Sequence, residues 1–353
     1  MGGPHAPGRS RPPLPFRTAA PAVLAFFLTL AMVPEGRGGE PPLVFMSDTQ
    51  SPIWIETALL PRNHNEAARA WIFEEVLALR PKAVFHAGDL VNIGWQREAW
   101  GAVDRFRARL GAAGVPFYPI LGNHEVMILP GAGERAFQER FPFHRKTGYV
   151  RVAGGVGVVM LNSNLWQLSV DQRWEQLRFL DSVLTALDAD SAVRAVIVVC
   201  HHSPFTNSMV VLPSIHSRAD FLPGYLASRK ARLFLSGHAH AFEHFRDEGK
   251  DFLVIGGGGG LQQPLLTGKL QRWPDHFPRA TTKRMFHYLR VTLQGDTLVA
   301  VVRMLREDFT AFEDAYTVRA AVPPARRSSG TVPVAAERGA RGAGKKQVPA
   351  PVR

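Results

Sequence analysis

At 353 residues and 46% hydrophobic content, the chain is long enough for one large or two ordinary domains and too apolar to be disordered throughout. Its net charge of +12 does not mark a nucleic-acid binder, because residues 1–39 carry +3 and residues 319–353 carry +7, leaving +2 for everything between. A single cysteine, Cys200, excludes an internal disulfide, so the core and any bound metal must hold the fold. In chain order, residues 1–39 read as an export signal. Arg9, Arg11 and Arg17 form a basic region, Ala19 to Val33 is an uncharged apolar stretch short for a bilayer span, and Pro34 to Gly39 supplies small and turn-forming residues. The cleavage region after the apolar stretch is not a clean Ala-x-Ala, so an uncleaved N-terminal anchor, with association to a membrane, stays open beside cleavage. Either way the protein is expected outside the cytoplasm, in a periplasm or secreted. No Cys follows the apolar stretch, which excludes a lipoprotein anchor.

One domain is expected over 41–318, with no internal repeat, followed by a disordered basic Pro/Ala-rich tail over 319–353. Leu43 to Met46 is a continuous apolar run, as in a strand buried on both faces, and it ends in Ser47-Asp48-Thr49-Gln50. A helix is predicted over Asn65 to Arg80, where Ala68, Trp71, Ile72, Val76 and Leu79 share one face and Pro81 stops it. The next strand, Ala83 to Ala87, ends in Gly88-Asp89-Leu90, and a second helix runs from Gln96 to Leu110. Val115 to Leu121 is a third strand, ending in Gly122-Asn123-His124-Glu125. A hairpin is predicted from Gly148 to Leu161 and a helix from Asp171 to Leu187. Val193 to Cys200 is β-branched and ends in His201-His202-Ser203-Pro204; a loop over 203–223 carries His216. Arg232 to Leu235 ends in Gly237-His238-Ala239-His240, and further strands are expected over 252–260, 286–294 and 297–305. Strand, polar tip and helix in repetition argue an α/β domain with sheets inside and helices outside. In such sheets ligands gather at the carboxyl ends of strands, where each polar cluster falls.

Singly, these clusters are weak, since Gly-Asp after a strand is an ordinary turn cap. Two imidazoles spaced by one residue after a glycine serve no packing purpose, however. An amide, an imidazole and a carboxylate in succession are likewise good material for holding a metal and moving a proton. The set Asp48, Asp89, Asn123, His202, His238 and His240, with Gly-Asn-His-Glu as its most specific piece, resembles the calcineurin-like metallophosphoesterases over about residues 43–255. The detail of Gly237 to Glu243 and of His202-Ser203-Pro204-Phe205 is similar to the purple acid phosphatase branch. The resemblance implies a four-layer α/β/β/α sandwich and a centre of two divalent or trivalent ions, Mn, Fe or Zn. Asp89 would bridge both ions, Asp48 and His240 would complete one, and Asn123, His202 and His238 the other. His202 is chosen over His201 because the family's ligand stands two residues before the proline, which leaves His201 off the metal or behind it. Two departures stand out: Gln50 occupies the place of a usual histidine, and Asn92 that of the branch's metal-bound tyrosine. A neutral amide oxygen at Gln50 favours Mn, Fe or Mg and a weaker, more exchangeable first site.

The chemistry implied is phosphoester hydrolysis. Two ions about 3.5–4 Å apart offset the phosphoryl charge and lower the pKa of a bridging water from 15.7 toward about 7, giving a hydroxide nucleophile. His124 is the candidate acid for the leaving oxygen, with Glu125 either orienting it or capping the following turn. Asn92, Glu125, His201 and His216 are expected near substrate or behind the ligands. The substrate is expected to be a phosphomonoester. A diesterase with the same site, or a weakly active binding protein of this fold, are the alternatives, and no specific nucleic-acid binding is expected.

Overall fold

The computed structural model describes residues 1–3 and 40–323, so the export segment and nearly all of the basic tail lie outside the described residues. In chain order the first half contains β1 (Leu43–Met46), α1 (Trp54–Leu59), α2 (Asn65–Leu79), β2 (Ala83–His86), α3 (Gly101–Ala112), β3 (Phe117–Pro119), α4 (Asn123–Val126), α5 (Pro130–Arg140), β4 (Tyr149–Ala153) and β5 (Val156–Met160). The second half adds α6 (Val170–Ala189), β6 (Ala195–His202), α7 (Ile215–Ala227), β7 (Ala231–Gly237), β8 (Phe242–Asp247), β9 (Lys250–Ile255), β10 (His287–Gln294), β11 (Thr297–Leu305) and β12 (Phe312–Ala321).

Strand β1 shows how these elements are layered. Its side chains alternate in direction, so Leu43 and Phe45 enter one apolar cluster while Val44 and Met46 enter another. Strand β6 does the same, with Ile197 and Val199 on one side and Val196 and Val198 on the other. Two six-stranded sheets, ordered β12-β11-β10-β1-β2-β3 and β4-β5-β6-β7-β9-β8, therefore share an inner core, and each keeps an outer face for helices. Ile72 and Val76 of α2, Phe106 of α3 and Phe137 of α5 cover the first sheet. Leu180 and Leu184 of α6 and Phe221 and Tyr225 of α7 cover the second. This is the expected four-layer α/β/β/α sandwich. Strands β1, β2 and β3 run parallel, as do β5, β6, β7 and β9, so each set delivers its chain ends to one edge.

Local chemistry explains the boundaries. Arg80 ends α2 in a left-handed conformation before Pro81, and Ser169 opens α6 by accepting from the Gln172 amide while the Gln172 side chain accepts from the Ser169 amide. Several expectations need correction. The strand expected over 115–121 is shorter, Phe117–Pro119, with the Pro116 carbonyl and the Ile120 amide bonding β2 at its two ends. The helix expected from Gln96 begins as a 3₁₀ turn, Arg97–Trp100. The loop expected over 203–223 gives way at Ser214, whose hydroxyl caps α7, a helix that carries Pro223 inside it. The domain does not stop at 318: Arg319, Ala320 and Ala321 pair with Val299, Leu298 and Thr297 in β12, and Val322 is buried. No helix among the described residues is long and apolar enough to cross a membrane.

One buried group works against this core. Neither ring nitrogen of His144 has a hydrogen-bond partner, and its ring meets the edge of Phe137 at 4.9 Å. Burial, with Arg145 and Lys146 nearby, lowers its pKa from 6.5 to about 4. The unfolded chain thus takes up a proton first as pH falls from 6.5 to about 4, and stability drops across that window. His144→Leu is expected to raise the melting temperature, and by more at pH 5 than at pH 7.5. Equal shifts at the two pH values in thermal melts would show that the imidazole's titration does not matter.

Candidate metal centre

The ends of β1, β2 and β7 place Asp48, Asp89 and His238 in left-handed backbone conformations, with φ of 58°, 57° and 68°. For residues other than glycine this costs on the order of 1–3 kcal/mol each and persists only where surrounding bonds over-determine it. They do so here. The Asp48 amide donates to the Gly88 carbonyl at 3.0 Å, and the Gly260 amide to the Asp48 carbonyl at 2.9 Å. The His238 amide donates to both oxygens of Asp48 at 3.1 Å. A Cβ on Gly122 would overlap Asp89 Oδ1 and its amide, so glycine is needed there.

These turns bring eight side chains together, four from each sheet: Asp48, Gln50, Asp89 and Asn123 from the first, and His201, His202, His238 and His240 from the second. Donor atoms of Asp48, Asp89 and His201 lie within 4.8 Å of one another, as do those of His201, His202 and His238. His240 Nε2 is 3.4 Å from Asp48 Oδ1. Of the two places expected for His201, off the metal or behind the ligands, the structure sets its ring inside the cluster, against Asp89. The β6–β7 register slips between Cys200 and His202, and this irregularity lets two consecutive side chains face the same centre.

The arrangement fits cations at two points. His201 Nδ1 donates to the Ala87 carbonyl at 2.9 Å, so in the neutral ring Nε2 presents a lone pair, 3.0 Å from Asn123 Oδ1 and 3.2 Å from Asp89. His240 Nδ1 donates to the Leu261 carbonyl at 2.8 Å, again leaving Nε2 a lone pair. The Gln50 amide satisfies both its atoms when its nitrogen donates to the Asp89 and Asp48 carbonyls at 3.0 and 3.2 Å. Its oxygen then lies 3.1 Å from His240 Nε2. Lone pairs this close repel unless a proton or a metal ion lies between them. Protons show the demand: burial opposes the charged form of His201, yet Asp89 and Asp48 push its pKa up to about 9. Burial likewise opposes His240, and its bond to Asp48 still raises it. His202 and His238, with no carboxylate so close, are lowered by burial and then by neighbouring imidazolium charge, His202 to about 3. Burial opposes the charge of Asp89, but His201 and His124 hold its carboxyl well below the usual range. Imidazoles oriented by carbonyl acceptors, beside carboxylates and amide oxygens, suit Mn, Fe or Zn.

Around this centre, Glu125 has the capping role and not that of orienting His124. It accepts from the amides of Asp89, Leu90, Val91 and Gly122 at 2.7–3.1 Å and so fixes the Asp89 loop. Asn92 participates through its carbonyl, which accepts from His124 Nδ1 at 2.9 Å. His124 Nε2 faces Glu56 at 3.7 Å and Asp89 at 3.9 Å. His216 is exposed on the first turn of α7 and is not brought to the cluster. His244, on β8, bonds Asp251 on β9 and Tyr316 on β12 and is no part of the centre. Sequence reasoning missed Glu56, Ser163 and Asn164. Ser163 Oγ accepts from the amides of His201 and His202 and meets His202 Nδ1 at 2.9 Å, and Asn164 Nδ2 donates to the Leu121 and Gly122 carbonyls. Asn162-Ser163-Asn164 is a polar tip after an apolar strand, the same signal that flagged the others. Glu56 follows an apolar pair and carries no such signal.

Two outcomes test this geometry. Glu125→Gln leaves one acceptor for four amides, and the affinity for Mn²⁺ is expected to fall roughly 10–100-fold in titration calorimetry; unchanged affinity would mean that the Asp89 loop stands without the carboxylate. During chelator dialysis, the ion held by Asp48, Gln50 and His240 is expected to leave first, and Gln50→His to retain it longer. Equal loss from wild type and variant, by elemental analysis, contradicts the role given to Gln50.

Comparison with known proteins agrees with this construction. Over 128 residues the chain is 30% identical to the uncharacterized protein YvnB of Bacillus subtilis, covering 34% of this chain and a tenth of that relative's length. Among solved structures, GAP50 of Plasmodium, described as the anchor in the inner membrane complex, superposes with a TM-score of 0.56 at 13% identity, covering 81% of this chain and 90% of that one. The purple acid phosphatase PPD1 from yellow lupin, Lupinus luteus, gives 0.54 at 18% identity, covering 80% and 54%. Both are likenesses of fold. The profile of the calcineurin-like phosphoesterase family matches residues 41–242, more than half of the chain and every donor of the cluster, and the chain belongs to that family.

Proposed function

We propose that the protein is an exported metal-dependent phosphatase that hydrolyses phosphomonoesters. The observation that carries this reading is His124 Nε2, beside Asp89 at the edge of a donor cluster suited to two cations. Such ions, when bound, would offset phosphoryl charge and lower the pKa of coordinated water. The chain's own residues supply the rest. Asp48, Gln50 and His240 would hold one ion, Asn123, His202 and His238 the other, with Asp89 shared and His201 against it. Asp89 Oδ1 accepts from the His124 amide at 2.8 Å, which leaves Oδ2 toward His201. The Asn92 carbonyl holds the His124 ring so that Nε2 is the atom free to carry a proton to a leaving oxygen. Glu56 and Asp89 are the anions beside that proton. The lupin structure's name supports a phosphatase over other uses of the fold, and the basic and apolar pattern of residues 1–33 supports export.

Metal-stripped protein is expected to lose hydrolysis of nitrophenyl phosphate and to regain it with Mn, Fe or Zn. His124→Ala is expected to lose roughly 10²–10⁴-fold on alkyl phosphates and far less on nitrophenyl phosphate, whose leaving group needs no proton. Equal losses on both would remove the acid role.

A further inference from the structure

Exposed apolar side chains are not scattered over this protein. Among the described residues, Met1 aside, sixteen large ones are exposed, and all but Trp71, Val152 and Trp174 lie in one kind of place. They sit on the short helix α1 that follows β1, in the connections that follow β2, β3, β5, β6 and β9, or on the first residue of the helix such a connection enters. Four of these strands, β1, β2, β3 and β6, carry six of the eight donors at the same ends: Asp48, Gln50, Asp89, Asn123, His201 and His202. Trp54, Leu59, Ile128, Trp166, Leu212 and Ile215 are each at least 64% exposed. An ion-pair contact and hydrogen bonds tie three of these connections to the centre. Glu56, two residues from Trp54, reaches His124. Gln167, beside Trp166, donates to the Val126 carbonyl at 3.3 Å, two residues from Ile128. Ser208, at the start of the run that includes Leu212, donates to Gln263, whose amide donates to the His240 carbonyl.

An apolar rim of this extent around a polar centre marks an interaction surface. Its charge pattern favours one occupant. Residues 126–133 and 203–217 contain no Asp, Glu, Lys or Arg, and His216 is the one histidine in them, so neither segment takes a permanent charge into a medium of low dielectric. Tryptophan with aliphatic neighbours is the composition that settles at a lipid–water boundary. Residues 19–33 form an uncharged apolar stretch in the same chain. We infer that the rim seats the centre on a lipid surface, and that its substrates are phosphoesters whose alcohol arm is apolar and presented there. The substrate half of this inference rests on the phosphatase reading; the seating does not.

The test uses the full chain and vesicles of phosphatidylcholine with brominated acyl chains. All seven tryptophans lie between residues 54 and 273, so quenching reports the folded part and not the terminal segments. Tryptophan emission is expected to fall by roughly a third on vesicle addition. The Leu212→Ser, Ile215→Ser double variant is expected to at least halve that loss, and Val152→Ser, on β4, to leave it intact. The ratio of kcat/KM for decyl phosphate over nitrophenyl phosphate is expected to drop about tenfold in the double variant. Co-sedimentation with vesicles without quenching would mean that the N-terminal segment alone holds the membrane, and would overturn the inference. A vesicle-independent dimer with no quenching would overturn it in favour of a second copy on the rim. Quenching in a protein that hydrolyses no ester would sustain the seating and sink the phosphatase reading instead.

Discussion

The centre depends on keeping lone pairs aimed at one another. His201 faces Asp89 and Asn123, and His240 faces Asp48 and Gln50, at distances where uncompensated acceptors repel. Left to itself a chain would turn these groups outward. What prevents it is the backbone around them: three residues held at positive φ, and a buried carboxylate, Glu125, occupied by four amides. Burial and the charge of Asp89 raise Glu125 to about 7, which shows the electrostatic cost of putting a second carboxylate behind the first. That cost is offset by rigidity in the loop that carries Asp89.

Much of this was legible in the sequence because strands buried on both faces are readable as continuous apolar runs, and their ends as abrupt changes of polarity. Asp48, Asp89, Asn123 and the two histidines after Gly237 stand at such ends, and their order, matched to the resemblance to the calcineurin-like metallophosphoesterases, is what marked them as a set. What escaped detection did so for identifiable reasons. A strand normally sends neighbouring side chains to opposite faces, so adjacent histidines forced a choice, and only the register slip beyond Cys200 makes both usable. Helix α7 was hidden by the proline inside it, and β12 by a composition that shades into the basic tail. Glu56 reaches His124 from a six-residue helix with no buried face, which leaves no periodicity to read.

Cys200 illustrates how closely donor identity is controlled. It lies one residue from the imidazoles, yet its thiol belongs to the cluster under α6 and α7, where burial pushes its pKa up to about 12. A thiol there is no competitor for a hard cation, and the donor set stays nitrogen and oxygen.

The equal division of donors between two sheets has a mechanical consequence. Neither sheet alone holds enough groups to grip an ion pair, and the apolar contacts between the sheets have no preferred slip distance, so their register rests on polar contacts that cross near this edge, such as His201 to the Ala87 carbonyl, Asn164 to the Leu121 and Gly122 carbonyls and Tyr149 to the Pro119 carbonyl. The centre therefore serves as a gauge of their alignment. A shear of one residue step, about 3.3 Å along a strand, would part Asp89 from His201 while costing the intervening core little. Any agent that lets the halves slide should register first as loosened ion binding, well before the molecule melts.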